Sequence, residues 1–204
     1  MGVDKPAPGE ELNTGAATTP RDAATVIVMR GGSEALEVLL VKRNPAQRFM
    51  GGAWVFPGGA VDADEDHRIA GVREVAEEAS IALPDVESLI EFSRWITPPE
   101  VKIRFDTRFF LVAAPDGAEP VPDGGETVDL GWYSPRAALE AYQRGDILLV
   151  FPTIKTLEQL VPFGSASELL DWASGRKVVA VEPRVVMDGE VARVVLPGEP
   201  GYEA

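Results

Sequence analysis

An acidic segment at residues 59–81, with glycine, glutamate and arginine at fixed spacings, constrains the fold of this chain more than any other feature. Apolar side chains recur at three- and four-residue steps within residues 66–80, which predicts a helix. On that helix Glu74 and Glu78 lie four residues apart, so both carboxylates share one face, with Glu77 beside them. Close carboxylates repel one another unless a cation neutralises them, and Mg²⁺ or Mn²⁺ prefers such hard oxygen ligands. The three glutamates are therefore the predicted metal ligands.

Residues flanking the glutamates suit a supporting role. Arg73 precedes Glu77 by four residues and can hold that carboxylate, and Glu65 comes within reach of Arg73 if the intervening loop folds back. Gly58 and Gly59 allow a tight turn and let a phosphate approach the backbone. An isolated acidic helix is usually only a solvated face.

The same segment resembles the signature of the Nudix hydrolases, which cleave a nucleoside diphosphate linked to another group. The family pattern is Gly-x5-Glu-x7-Arg-Glu-apolar-x-Glu-Glu-x-Gly-apolar, and this chain matches it from Gly59 to Ile81 at every position but one. The departure is Ser80, which stands where the family has glycine. That position ends the helix and carries no metal ligand, so the departure concerns how the chain leaves the helix.

The resemblance implies a fold and a reaction. The expected fold class is α/β, a Nudix-type α/β/α sandwich with a mixed β-sheet. The expected reaction is hydrolysis of a pyrophosphate bond by water, with Mg²⁺ or Mn²⁺ held by Glu74, Glu77 and Glu78. Arg73 and Glu65 would hold these carboxylates in place. The expected partner is a small-molecule nucleoside diphosphate substrate.

A second resemblance concerns the segment ahead of the glutamates and points to coenzyme A diphosphatases. It rests on Leu39-Leu40 and on Arg48-x3-Gly52-x3-Phe56-Pro57-Gly58-Gly59, and it departs from that motif at Val41, Arg43 and Asn44. Residues 94–113 and the late Leu196-Pro197-Gly198 also resemble the acyl-coenzyme A diphosphatases of peroxisomes. The substrate implied is coenzyme A or an acyl-coenzyme A, cut to 3′,5′-ADP and a phosphopantetheine product. NADH and ADP-ribose are the alternatives.

Basic residues are the predicted contacts for the substrate phosphates in a chain this acidic. Arg43 and Arg48 form one basic patch, and Arg108 forms another with Arg104. Basic side chains at strand ends also pair simply with surface acids, which is an equal alternative for Arg48 and the favoured one for Arg104. The strand face of Arg108 lines a cleft or faces solvent.

A few other residues have two interpretations. Glu126 lies in a loop where some Nudix enzymes keep an extra metal ligand or a general base, and it is otherwise a solvated turn acid. Trp54, Trp95 and Trp132 stack on an adenine or, as aromatic residues near strands usually do, belong to the core. His67 is interpreted as a surface histidine.

Composition excludes several other functions. The chain has 19 Lys and Arg against 33 Asp and Glu, a net charge of −14, so a role in coating nucleic acid is disfavoured. It has no cysteine and one histidine, which excludes disulfides, thiolate zinc sites and a multi-histidine metal centre. No apolar run is long enough to span a membrane, and the start does not resemble a signal peptide. A cytoplasmic location is expected, and a homodimer is left open.

The pattern along the chain predicts a mobile lead-in over residues 1–20 and one Nudix domain over residues 21–204, including C-terminal helices and a hairpin. Strands are predicted at 24–30, 36–42, 54–56, 87–95, 104–113 and 128–133. Further helices are predicted at 134–143, 153–160 and 166–173, followed by a hairpin at 178–195 that turns at Asp188-Gly189.

Two functions without catalysis remain as rivals. One is a silent Nudix module that binds a nucleotide as a sensor, and the other is an interaction domain without a ligand. A pure binder has no need to keep three repelling glutamates, and an interaction domain has no need of the Gly59 turn and the basic patch. The sequence therefore favours an enzyme.

Overall fold

The fold is built on a mixed sheet of eight strands, with α1 against one face and α2 to α4 against the other. The computed structural model describes residues 11–13, 15–32, 35–188 and 191–202. The strands are β1 (Arg21–Arg30), β2 (Glu37–Arg43), β3 (Trp54–Val55), β4 (Gly58–Ala60), β5 (Ile90–Ile96), β6 (Phe105–Ala113), β7 (Thr127–Tyr133), β8 (Ala180–Val181), β9 (Arg184–Asp188) and β10 (Val191–Val195). The helices are α1 (His67–Ala79), α2 (Pro135–Arg144), α3 (Phe151–Leu160) and α4 (Ala166–Ala173). The predicted α/β class with a mixed sheet is confirmed.

The central strand is β1, which pairs in parallel with β6 along its length. Its first half also pairs with β4, and its end pairs with β2 in the predicted hairpin. Because side chains alternate along a strand, Val26 and Val28 pack toward α1, while Ile27 and Met29 pack with the helices of the other face. Both faces of β1 are therefore buried, as its continuous apolar sequence indicates.

The helix predicted in the acidic segment forms from residue 67 to residue 79. Asp66 caps its start, since the side chain accepts hydrogen bonds from the backbone N–H groups of Arg68 and Ile69. Ser80 ends it in the left-handed conformation, with φ 55° and ψ 29°. Glycine adopts that conformation without strain. Ser80 therefore replaces the family's glycine at the position of the helix end where glycine avoids strain.

Several details differ from the predicted elements. Gly58–Ala60 is a strand rather than a turn, and a 3₁₀ turn at Val86–Ser88 delays the start of β5 to Ile90. The predicted C-terminal hairpin is shorter, because β8 joins the main sheet beside β5 and only β9 and β10 pair with each other. The predicted turn includes Gly189, which lies outside the described residues.

Residues 11–13 and 15–18 contact the loop between β5 and β6. Leu12 forms an isolated β-bridge with Val101, and the Lys102 N–H donates to the Glu11 carbonyl at 2.9 Å. The Thr18 hydroxyl donates to the Lys102 carbonyl at 3.1 Å. These contacts place part of the predicted lead-in on the body of the domain.

No helix formed by the described residues is both long enough and apolar enough to cross a membrane.

Candidate active site

Glu78 is the most buried carboxylate of the site, with only 2% of its surface exposed. Its Oε2 accepts a hydrogen bond from the Gly58 N–H at 3.0 Å, and its Oε1 has no hydrogen-bond partner among the described residues. Burial raises the pKa of Glu78 to about 7, against the lowering effect of that N–H group. A buried acceptor without a partner is costly, so this oxygen is suited to a cation.

Glu74 lies one helical turn earlier, against the backbone of β4. A Cβ atom on Gly59 would overlap the Glu74 carboxylate, so any other residue there would displace it. Gly58 is the more strictly required of the two, since its Cβ would overlap the backbone of Ala24 and Thr25. Burial is also the main cause that raises the pKa of Glu74, although Arg73 opposes it. Close packing, and not the predicted tight turn, is what these two glycines provide.

Arg73 holds the carboxylates around it, as the sequence predicts. Its Nε and Nη2 donate to the two oxygens of Glu65 at 2.9 and 3.0 Å, a bidentate pair. Its Nη1 donates to Glu74 Oε1 at 2.8 Å and to Glu77 Oε2 at 3.0 Å. The hydrogen bond to Glu65 is the main cause that raises the pKa of Arg73 above its usual range. It is also the main cause that lowers the pKa of Glu65.

The fit of a divalent cation depends on these glutamates. No three carboxylate or imidazole side chains of the described ranges already converge on one point as a metal site. Arg73 Nη1 instead bridges Glu74 and Glu77, and the Glu77 side chain is 60% exposed. The donor set still fits a hard cation, because Glu78 Oε1 is unpartnered and burial disfavours the negative charge of Glu74 and Glu78.

Glu126 approaches the cluster from the loop before β7, and its negative charge contributes to the raised pKa values of Glu74 and Glu78. Asp123 fixes this loop, since its carboxylate accepts the backbone N–H groups of Glu126 at 3.0 Å and of Thr127 at 2.7 Å. Partial burial acts to raise the pKa of Asp123, but these hydrogen bonds outweigh it and lower the pKa to about 2. The Thr127 hydroxyl lies 2.8 Å from both the Asp123 carboxylate and the Glu78 carbonyl.

Asn44 fixes the same loop from its other side. Its side-chain amide donates to the Gly125 carbonyl at 2.8 Å, and its backbone N–H donates to the Glu126 carbonyl at 2.7 Å. Reasoning from the sequence missed both Asp123 and Asn44. The turn residues Asp123-Gly124-Gly125 were the available signal, because aspartate side chains commonly accept N–H groups in such turns.

The predicted basic contacts are only partly brought together. Arg43 lines the cavity beside the carboxylates, and its buried Nε has no hydrogen-bond partner among the described residues. Arg48 is exposed on the turn that carries Phe49 and Met50 into the cavity lining. Arg108 is not in the site: residues 105, 107 and 109 of β6 face the cavity, so strand alternation directs Arg108 to the other face, where it lies 3.7 Å from Glu91.

The other candidate residues pack in the core or form ion pairs. Arg104 is buried and bonded to backbone carbonyls and Glu182, which agrees with the favoured ion-pairing interpretation. Trp54 and Trp95 are core residues, and Trp95 also lines the cavity. Trp132 packs on the core beside α1 and beneath Arg30. His67 lies 3.4 Å from Asp22 at the start of α1.

A cavity of about 1100 Å³ contains the acidic cluster at one end. The glutamates, Arg43 and Arg73 line that end, and the lining then continues along β1, β6 and β5 to the last hairpin. The side chains there are mainly aliphatic and aromatic. One cavity therefore joins a strongly polar site to a long apolar compartment.

Comparisons with known proteins agree with this architecture. The profile of the NUDIX domain matches residues 19–151. The acyl-coenzyme A diphosphatase NUDT19 of Homo sapiens is 24% identical over 83% of this chain and 73% of that protein. The acyl-coenzyme A diphosphatase NUDT19 of Xenopus laevis is 31% identical over 49% of this chain and 27% of that protein. The crystal structure of a NUDIX hydrolase from Alicyclobacillus acidocaldarius superimposes with a TM-score of 0.67 at 28% identity, covering 76% of this chain and 96% of that one.

Proposed function

The chain belongs to the NUDIX domain family as a Nudix pyrophosphohydrolase, and from that premise we propose that its substrate is coenzyme A or an acyl-coenzyme A. The observation that carries the proposal is the single cavity in which the carboxylates of α1 continue into a long apolar compartment. A diphosphate cut at the polar end would leave its pantetheine arm in the compartment. The similarity to acyl-coenzyme A diphosphatases over most of the chain supports the same substrate class.

The glutamates of α1 serve this reaction as metal ligands. Members of the family generally use divalent metal ions, and here Glu74, Glu77 and Glu78 would hold Mg²⁺ or Mn²⁺. The bound ion would supply charge neutralisation on the phosphate oxygens and a lowered pKa of the attacking water. Arg73 and Glu65 keep the carboxylates in place through the bidentate pair described above.

Two further residues act on the substrate and on the water. The unpartnered Arg43 Nε faces the same cavity as the glutamates, so Arg43 binds a phosphate oxygen of the diphosphate. Glu126 accepts the proton of the attacking water, whose oxygen bonds to phosphorus while the bridging P–O bond breaks. The products each keep one phosphate of the diphosphate: 3′,5′-ADP from the nucleotide half and phosphopantetheine, or its acyl ester, from the other.

A substrate panel tests the proposal. Coenzyme A, lauroyl-coenzyme A, NADH and ADP-ribose are incubated with the protein and Mg²⁺ or Mn²⁺, and the products are identified by mass. We expect 3′,5′-ADP and a phosphopantetheine product from the coenzyme A substrates, and no product when a chelator is present. Cleavage of ADP-ribose and NADH alone would overturn the substrate class, while nucleotide binding without any turnover would indicate the sensor.

A further inference from the structure

The floor of the cavity crosses four neighbouring strands in the order β4, β1, β6 and β5. Alternate residues of β1 and β6 form it: Ala23 and Thr25 lie beside Thr107 and Phe109. Neighbouring strands are about 4.8 Å apart, so the path from β4 to β5 is about 14 Å long. The cavity therefore offers a substrate that lies beside β4 room to extend across the sheet toward β5.

Three segments that are distant in the sequence form a cap over the far end of this floor. They are the N-terminal segment (residues 11–13 and 15–18), residues 97–104 and residues 182–185, and they contribute Leu12, Val101 and Val185 to the cavity lining. The first two segments meet through the Leu12–Val101 bridge and through the Asn13 N–H, which donates to the Glu100 carbonyl at 2.7 Å.

Glu100 and Arg104 join the cap into one unit. The Glu100 carboxylate accepts from the Val185 N–H at 3.2 Å and lies 3.4 Å from Arg184 Nη1. The Arg104 guanidinium donates to the carbonyls of Thr97 and Thr18 and to the Glu182 carboxylate. These two residues belong to the segment whose sequence resembles acyl-coenzyme A diphosphatases, and they hold the cap together without lining the cavity themselves.

The chemistry of the lining changes from one end to the other. Among the described residues, the parts of the lining contributed by β5, β6, the cap and the β9–β10 hairpin are uncharged. Ile96, Val101, Phe105, Val185 and Val194 provide aliphatic and aromatic surface there. The polar groups at this end are the Thr97 and Thr107 side chains, the Trp95 indole and, on β1, Arg21, whose guanidinium lies over the Phe105 ring. The rest of this surface is apolar, and each methylene buried in it favours binding by up to about fourfold.

Resting on the proposed function, we infer that the cap is the binding site for the acyl chain and that it makes the enzyme select acylated over free coenzyme A. The diphosphate lies at α1, the pantetheine arm follows the floor across β1 and β6, and the acyl chain lies under the cap. Val101 and Val185 both line this compartment, and Glu100 joins their segments, so these two side chains limit the length of the acyl chain that fits.

The experiment measures kcat/KM for free, acetyl-, hexanoyl- and lauroyl-coenzyme A, with ADP-ribose as a substrate that has no arm. The wild-type protein is expected to prefer lauroyl- over free coenzyme A by at least about tenfold. Val101→Phe and Val185→Phe fill the compartment and should each lower that ratio by at least about tenfold. Met187→Phe is the matched control, because Met187 lies on the same hairpin but is 60% exposed and does not line the cavity.

Each outcome decides between the inference and its premise. Equal use of free and lauroyl-coenzyme A by the wild type would overturn the acyl site while leaving coenzyme A as the substrate. An unchanged ratio of lauroyl- to free coenzyme A turnover in both phenylalanine variants would also overturn it, provided that thermal denaturation shows both variants to be folded. If either variant fails to fold, Val101→Ala and Val185→Ala replace them and should move the preference toward longer chains. Cleavage of ADP-ribose without any coenzyme A substrate would instead refute the proposed function.

Discussion

The Glu78 carboxylate has one bonded oxygen and one free oxygen in a buried position, and this arrangement suits a metal ligand better than a structural acid. Glu78→Gln keeps an oxygen that can accept the Gly58 N–H, so the fold should persist. A neutral amide is a poor ligand, and we expect kcat to fall by at least about 10²-fold at saturating Mg²⁺. Steady-state kinetics measures the loss, with Glu87→Gln on the exposed 3₁₀ turn as control. Near-native turnover in Glu78→Gln would remove Glu78 from the catalytic centre.

The same residue makes the stability of the metal-free protein depend on pH. The pKa of Glu78 is about 7 in the folded protein and 4.5 as its ordinary value. At a pH between these two pKa values, Glu78 keeps its proton in the folded state and has released it in the unfolded state. The free energy of unfolding should therefore fall as pH rises through this window, by about 3 kcal/mol in total. Urea denaturation in a chelating buffer from about pH 5 to about pH 8 measures it. Glu78→Gln should flatten the curve, and parallel curves for the two proteins would contradict the assignment.

At the scale of elements, the end of α1 has a strained residue that the family signature normally avoids. Ser80→Gly removes the cost of a side chain at φ 55° and should raise the free energy of unfolding by about 0.5–1 kcal/mol, after the greater freedom of glycine in the unfolded chain is subtracted. Thermal denaturation of the two proteins checks the sign. Ser174→Gly is the control at the end of α4, where φ is −58° and the hydroxyl bonds to the Leu170 carbonyl, so it should destabilise. A lower free energy of unfolding in Ser80→Gly would contradict the claim that Ser80 is strained.

The loop at residues 123–127 gives a second prediction for an element. Asp123→Ala removes the acceptor that fixes the Glu126 and Thr127 N–H groups, so kcat should fall by about tenfold while KM changes little. The effect acts through Glu126, and the double variant with Glu126→Gln should be no slower than Glu126→Gln alone. Asp123→Asn, which keeps an oxygen acceptor, should restore part of the rate. Additive losses in the double variant would show that Asp123 acts independently of Glu126.

Elements with local signals were predictable, and those set by distant contacts were not. The apolar period and the charged residues between the apolar positions are local, and they gave α1 to within one residue at each end. The Ser134 cap and Pro135 likewise gave the start of α2. β4 was missed because Gly58–Ala60 is a strand only through its pairing with β1. Asp123 was missed because its importance depends on the distance from its loop to α1.

At the scale of the molecule, Arg104 joins segments from both ends of the chain. Its side chain is 8% exposed and bonds to Thr18, Thr97 and Glu182. Arg104→Met keeps the volume but leaves these acceptors without their donor, so the free energy of unfolding should fall by about 2–4 kcal/mol. Urea denaturation measures this loss. Arg144→Met is the control, since its exposed pair with Asp146 contributes little. An equal effect of the two substitutions would show that the cap does not depend on Arg104.

The cap is the part of the site that could not be predicted from the sequence. Arg73 and the glutamates of α1 lie within one helix, so their spacing predicted that they are neighbours, whereas Glu65 also needed the loop before α1 to fold back. The apolar compartment takes residues from the N-terminal segment, the β5–β6 loop and the last hairpin. Nothing in their spacing joins Leu12 to Val101 or Glu100 to Val185, because only the folded sheet brings those segments side by side.

The parallel pairing of β1 with β6 has a consequence for how the protein is made. Every pair in that register, from Arg21 with Phe105 to Met29 with Ala113, joins residues 84 positions apart. At about 5–20 residues per second, β6 is synthesised roughly 4–17 seconds after β1. During that interval β2 can pair with the end of β1, and β4 can pair with its first half. The first half of β1 forms the cavity floor together with β6, so a nascent chain that has not yet reached β6 already carries Glu74, Glu77 and Glu78 of α1 while it still lacks a complete substrate site.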